Sequence, residues 1–168
     1  MNYIHYIEST QEWTCPKSGK WKVICVGGGG SGYTEYSSKI YTGNPGGTTS
    51  FGTYLSANGG AGGSSAFTNS YSSSGINGFD GCVEYRSSSN NTVGIGYGAS
   101  GGTSWTGSSN IKTSAGSPGE IITTVVDIEE NSVISCTVGE GGTAVKPGYQ
   151  DMHNYAGKAG VIILEYLD

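Results

Sequence analysis

Seven aromatic side chains in a polar stretch are the residues best equipped for recognition: Tyr33, Tyr36, Tyr41, Tyr71, Tyr85, Tyr97 and Trp105. They are interspersed with Ser, Gly and Asn. Adaptable binding loops use this mixture, because a rigid ring supplies contact area at low entropic cost while small polar neighbours adjust their hydrogen bonds. Rings of this kind stack on the apolar C–H faces of sugars, and Asn and Ser reach hydroxyls. The set reads as a receptor-contact surface for a cell-wall glycan or an outer-surface protein. At any single position the competing reading is that the ring covers a core short of aliphatic side chains.

Catalytic chemistry has few candidates. His5 stands near the start and His153 lies in Gln150-Asp151-Met152-His153-Asn154, where Asp151 is a loop neighbour rather than an orienter. There is no G-x-S-x-G elbow for a nucleophilic serine. Glu129-Glu130 reads as a turn, whereas a glycosidase pair faces across a cleft. Gly96-Tyr97-Gly98-Ala99-Ser100-Gly101 matches G-x-G-x-x-G, but no apolar strand precedes it and no helix can follow. Asn90-Asn91-Thr92 is a glycosylation sequon that matters only in a secreted chain. Cys15, Cys25, Cys82 and Cys136 contain no C-x-x-C pair. They read as small buried hydrophobes rather than zinc ligands, and a reducing compartment argues against disulfides. The expectation is a protein that is not an enzyme and holds no metal or cofactor.

The composition sets bounds on the fold that carries these residues. Glycine accounts for 31 of 168 residues, charged residues for 12%, and the formal net charge is −5. Disorder needs more charge than this, and the apolar residues are clustered. Only Leu55, Leu164 and Leu167 are leucines, and no stretch repeats apolar residues with helical period. Eight Lys and Arg against thirteen Asp and Glu do not make a basic face for nucleic acid. No apolar run is long enough to insert in a membrane. Residues 1–10 lack the pattern of a signal peptide, so synthesis in a cytoplasm is expected.

The apolar clusters sit at the two ends of the chain. Residues 2–7 and 11–15 read as extended, and Trp21-Lys22-Val23-Ile24-Cys25-Val26 as a strong strand with Trp21, Val23 and Cys25 on one face. Residues 48–57 read as a strand or hairpin. The segments 119–128, 132–138 and 160–166 read as strands, with Ile134, Cys136 and Val138 buried and the last strand central. Trp21–Val26 and Val161–Tyr166 are expected to meet in one hydrophobic interior, because neither has enough apolar neighbours locally. The result is one all-β domain over residues 1–168, a jelly-roll-like sandwich of N- and C-terminal strands. Residues 31–118 form its glycine-, serine- and tyrosine-rich loop region. Glycine doublets recur at 27–30, 46–47, 59–60, 62–63, 101–102 and 141–142. Irregular loops are their expected setting. A packed bundle of threefold polyglycine segments is the alternative, and it would need glycine at sustained spacing.

The order of these blocks resembles the glycine-rich domains of phage tail fibres and adhesins. Thr14-Cys15-Pro16 with Gly19 and Trp21 to Val26 leads into Gly27-Gly28-Gly29-Gly30. Gly46-Gly47-Thr48-Thr49-Ser50-Phe51-Gly52-Thr53-Tyr54-Leu55-Ser56-Ala57-Asn58-Gly59-Gly60 follows, then Val138-Gly139-Glu140-Gly141-Gly142. The closing block is Gly157-Lys158-Ala159-Gly160-Val161-Ile162-Ile163-Leu164-Glu165-Tyr166. The resemblance covers about residues 13–166. It implies a virion-surface protein made in the host bacterial cytoplasm, a homo-oligomer with a trimer favoured, mounted on other virion proteins. In some members of the family the loops bind a host cell-surface glycan or protein at a fibre tip. The middle region here is poorer in glycine and richer in Ser and Tyr than the family pattern, which leaves more side chains for contact. A purely structural virion component, such as a head decoration or fibre subunit, is the alternative. A secreted bacterial coat protein would need an unusual export route, and a more distant likeness to glycine-rich receptor ectodomains lacks the signal peptide.

Overall fold

The computed structural model describes residues 3–36, 39–64, 67–68, 72–73, 85–86, 92–93, 97–101, 103–105, 111–145 and 152–167. Tyr71 and Cys82 lie outside them, as do the side chains of Tyr36, Tyr85, Trp105 and His153.

The apolar ends of the chain form a sandwich of two four-stranded antiparallel sheets, and the described residues contain no helix. Its strands are β1 (Ile4–Ile7), β2 (Gln11–Thr14), β3 (Gly19–Val26), β4 (Thr49–Phe51), β5 (Leu55–Ala57), β6 (Ile121–Ile128), β7 (Val133–Thr137) and β8 (Val161–Tyr166). One sheet has the order β1-β8-β3-β6 and the other β2-β7-β4-β5. β8 pairs with β3 from Val161 opposite Val26 to Tyr166 opposite Trp21, so the two ends of the chain do meet at the centre of one sheet. Asn131 closes the turn between β6 and β7 with φ 65°, a left-handed conformation that asparagine tolerates well.

Alternation along each strand explains the core. Trp21, Val23 and Cys25 turn inward from β3, and Ile134, Cys136 and Val138 from β7 and its end, onto Trp13, Phe51, Ile162 and Leu164. Trp13 meets Trp21 edge-on at 5.2 Å, and Tyr166 meets Trp21 at 5.0 Å. Such pairs contribute about 0.5–1.5 kcal/mol beyond the area they bury. Aromatic rings thus supply much of the volume that the scarce leucines do not.

Past Val26 the chain needs no side chains at all. Residues 27–32 run straight out of β3 and become the axis of a seven-segment bundle. Gly27, Gly28 and Gly29 donate their N–H groups to Glu120, Gly47 and Lys158, each at 2.9 Å. Gly30, Ser31 and Gly32 then donate to Ser117, Asn44 and Tyr155. Each partner segment thus returns every third residue, which is the period of an extended threefold helix. The carbonyls of Gly28 and Ser31 accept from Gly60 and Gly63, that of Gly29 from Gly142, and that of Gly30 from Gly101. Six segments therefore surround the axis: 43–47, 58–63, 115–120, 98–101, 155–160 and 139–142. They also bond to one another in that order and close the ring, for instance Gly46 N to Gly60 O, Ser117 N to Ala61 O and Gly157 N to Gly142 O.

This corrects the expectation that the glycine blocks form irregular outward loops. They are the interior of the bundle. A Cβ on Gly29 would fall inside the Ala99 carbonyl, and one on Gly46 inside the carbonyl of Gly28. The spacing that such packing demands is present, as Gly43/Gly46, Gly116/Gly119 and Gly157/Gly160, but it is split among separate segments. Larger residues such as Asn44, Asn58, Glu140 and Lys158 stand at exposed positions.

Two tests follow from this packing. Gly29→Ala forces backbones apart and orphans their amides, and it should cost about 3–5 kcal/mol in denaturant titrations. Ala61→Ser, at an exposed position of the same bundle, should stay within about 0.5 kcal/mol. The second test concerns the thiols. Cys15, Cys25 and Cys136 are free and buried. Burial, with Cys136 nearby, pushes the Cys25 thiol from 9.0 up to about 12, and burial lifts Cys136 to about 11. In a Cys82→Ser chain the three thiols should resist a thiol reagent until the protein unfolds. Because the folded values of Cys25 and Cys136 are raised, the contribution of these two thiols is complete below the unfolded pKa of about 9 and is lost as pH rises toward about 12. The denaturation midpoint should fall across that window.

Candidate functional site

The sandwich lies at one end of the bundle, and short strands lie at the other; the described parts of these distal stretches are residues 33–36, 39–41, 67–68, 72–73, 85–86, 92–93, 103–105, 111–114 and 152–154. Tyr33–Tyr36 continues directly from the bundle axis. It forms the sheet Lys39–Tyr41, Tyr33–Tyr36, Ile111–Ser114, Phe67–Thr68. Thr103–Trp105 lies between Met152–Asn154 and Ser72–Ser73 in a second sheet, and Tyr85–Arg86 pairs with Thr92–Val93. The distal stretches are thus cross-linked by strand pairing between residues far apart in sequence.

The seven aromatic candidates separate on this framework. Tyr33, Tyr36 and Tyr41 belong to the first distal sheet, with Tyr41 opposite Thr34. Trp105 belongs to the second, opposite Met152, and Tyr85 to the ribbon, opposite Val93. Tyr33 is only 4% exposed, so its ring is not offered to a partner. Its hydroxyl donates to the Glu35 carboxylate at 3.0 Å. Burial first, and then Glu35, hold the phenol above its usual range. Tyr41 is half-buried beside Ile40, which is 63% exposed.

Tyr97 is elsewhere. Like Ile24, it packs on Val26, Val161 and Ile163 on the outer face of the sandwich, and its hydroxyl donates to the Glu8 carboxylate. The chain turns there, with Gly98 at φ +69°, and heads outward again. A shallow cleft of about 510 Å³ opens beside this contact, lined by Glu8, Tyr97, Lys158, Ala159 and Gly160. His5 lies on β1 stacked against Tyr3, whereas His153 stands opposite Ser104 in the second distal sheet, so the two histidines are not brought together. Glu129 and Glu130 lie at the turn between β6 and β7, with the Glu130 N–H held by Ser18 Oγ at 2.8 Å.

A polar contact that sequence reasoning missed fastens the distal sheets. Thr34 Oγ1 donates to Asn154 Oδ1, and Asn154 stands opposite Thr103. All three are buried, and Thr103 Oγ1 and Asn154 Nδ2 have no hydrogen-bond partner among the described residues. Residues 34, 103 and 154 carry no shared spacing or motif, so no sequence signal could have joined them. At the rim, Asn44 Nδ2 donates to the carbonyl and hydroxyl of Thr143 at 2.9 and 3.0 Å, tying segment 43–47 to the residue that follows segment 139–142.

Among the described residues no cluster of His, Cys, Asp and Glu could hold a metal, and no helix is long and apolar enough to cross a membrane. No family model, curated protein or solved structure matches the chain.

The orphaned groups give a paired test. Thr103→Val keeps the shape and removes an unsatisfied buried hydroxyl, and it should stabilise by about 1 kcal/mol. Thr34→Val deprives Asn154 of its donor and should cost about 1–3 kcal/mol. Thermal melts of the two variants should therefore move in opposite directions.

Proposed function

We propose that this protein acts on the surface of a phage virion as a tail-fibre tip or adhesin-like receptor binder, displaying its distal stretches to a host cell-surface glycan or protein. One observation carries the reading. The backbone passes seven times through a hydrogen-bonded bundle, and the Tyr-, Ser-, Gly- and Asn-rich stretches between passes are mounted on a rigid support. Binding residues concentrate on loops held by such scaffolds, because a loop can vary while its anchors stay fixed. The sandwich end is the end available for mounting on other virion proteins. The block order of the sequence supports the same assignment.

The recognition residues on this reading are Tyr36, Tyr41, Tyr71, Tyr85 and Trp105. Tyr33 is structural because of its burial, and Tyr97 is separate because it sits against the sandwich. Rings offered to sugars or to a protein groove are the usual hot spots of such contacts, so their combined loss should be severe.

Whole-cell binding of the purified full chain is the test. The combined substitution Tyr71→Ala, Tyr85→Ala, Trp105→Ala should weaken host binding at least about tenfold while leaving the melting temperature near that of the parent. If the parent protein binds no host cell, and the triple variant leaves infection unchanged, the distal stretches contact other virion chains instead. The protein is then a structural component of the particle.

A further inference from the structure

The sandwich has four edge strands, and one of them is unlike the others. β1, β2 and β5 span four, four and three residues, and β2 carries Gln11 and Glu12. β6 spans eight, Ile121-Ile122-Thr123-Thr124-Val125-Val126-Asp127-Ile128, with a charge only at Asp127 and with no Gly or Pro. It pairs with β3 on one side and, among the described residues, is the last strand of its sheet on the other. Ile121 and Val125 are 49% and 52% exposed.

The direction of the free backbone groups follows from bonds at the two ends of β3. Gly27 N donates to Glu120 O, and Leu167 N donates to Lys20 O. By the alternation of an antiparallel ladder, residues 20, 22, 24 and 26 of β3 then bond to β8, and residues 19, 21, 23 and 25 bond to β6. On β6 the residues turned toward β3 are therefore Ile122, Thr124, Val126 and Ile128. Ile121, Thr123, Val125 and Asp127 aim both N–H and C=O away from the sheet. A long, uncharged edge of this kind is a template for another strand, and soluble proteins normally guard against it with charges, prolines, bulges or short length.

We propose that β6 pairs with β6 of a second copy of this chain, antiparallel about a two-fold axis at Thr124. This register puts Ile121 opposite Asp127, Thr123 opposite Val125, and each Thr124 opposite its counterpart. Outward-facing residues then meet outward-facing residues, so all four N–H and all four C=O groups on each edge find partners. On the inner face Ile122 lies against Val126, and on the outer face the one charge meets an isoleucine rather than its own copy. A two-fold contact must be self-complementary in this way. The two sheets merge in the order β1-β8-β3-β6-β6-β3-β8-β1. Because β6 runs away from the bundle, the pairing sends the two sets of distal stretches to opposite ends of an elongated dimer. This assembly is independent of receptor binding and is measured without cells.

Light scattering on the full chain after size-exclusion chromatography should give twice the 17.2 kDa chain mass. Thr123→Pro removes only an outward N–H, so it should give the single-chain mass with unchanged circular dichroism and the melting temperature that the parent shows when diluted below dimer formation. Val125→Pro removes the next outward N–H and serves if the first variant fails to fold. Hydrogen exchange supplies a measurement that needs no variant. The amides of Ile121, Thr123, Val125 and Asp127 should be protected only at concentrations where the dimer forms. A wild-type mass of one or three chains, a dimer that survives both proline substitutions, or exchange at these amides that does not depend on concentration would overturn the proposal.

Discussion

The whole molecule depends on how closely residues 27–30 let other backbones approach. Each of these glycines faces a peptide group where a side chain would otherwise stand, and its own N–H is bonded to a neighbouring segment. Every amide there is shielded from water, so an N–H without a partner would cost about 1–3 kcal/mol, more than the net gain from making one bond. Six segments must therefore arrive in register, because any one that does not orphans the interior groups it would have bonded. Cooperativity in this protein comes from backbone polarity as much as from apolar burial.

That requirement explains how the sandwich and the bundle divide the work. β3 is held by β6 over its full length and by β8 from Trp21 to Val26 before it becomes the axis of the bundle. The ladder between β3 and β6 passes into the bundle without a gap, because Gly27 still bonds to Glu120 one step beyond the last paired residues. The apolar core sets the direction of the axis, and the glycine segments carry that direction outward. Thr34 and Asn154 then join the distal sheets where side chains reappear. The distal stretches are thus held both by the backbone bonds of the bundle at their bases and by strand pairs of their own.

Much of the sandwich was legible in the sequence. Alternating apolar residues in Trp21–Val26 and the continuous run Val161–Tyr166 marked paired strands, and Cys15, Cys25 and Cys136 behaved as the small apolar residues their isolation suggested. The bundle was legible only in part. Local composition cannot distinguish a glycine needed for close packing from one needed for a turn, because the atom it would strike belongs to a residue far along the chain. The three-residue spacing was there, once per segment, but its meaning depends on seven segments lying side by side. The aromatic candidates were harder still. Tyr33 and Tyr97 sit in the same polar composition as Tyr36 and Tyr41, yet burial claims the first and the sandwich surface the second. Nothing within a few residues of either encodes that difference.

The near absence of side chains from the bundle interior has a thermal consequence. Heat-capacity change on unfolding rises with apolar surface exposed and falls with polar surface exposed, and ordinary domains average about 12–15 cal/mol/K per residue. Opening a core built of peptide groups exposes chiefly polar surface, which pulls that value down. A stability curve governed by that core should be broad and flat, with little of the weakening in the cold that comes when apolar hydration loses its force.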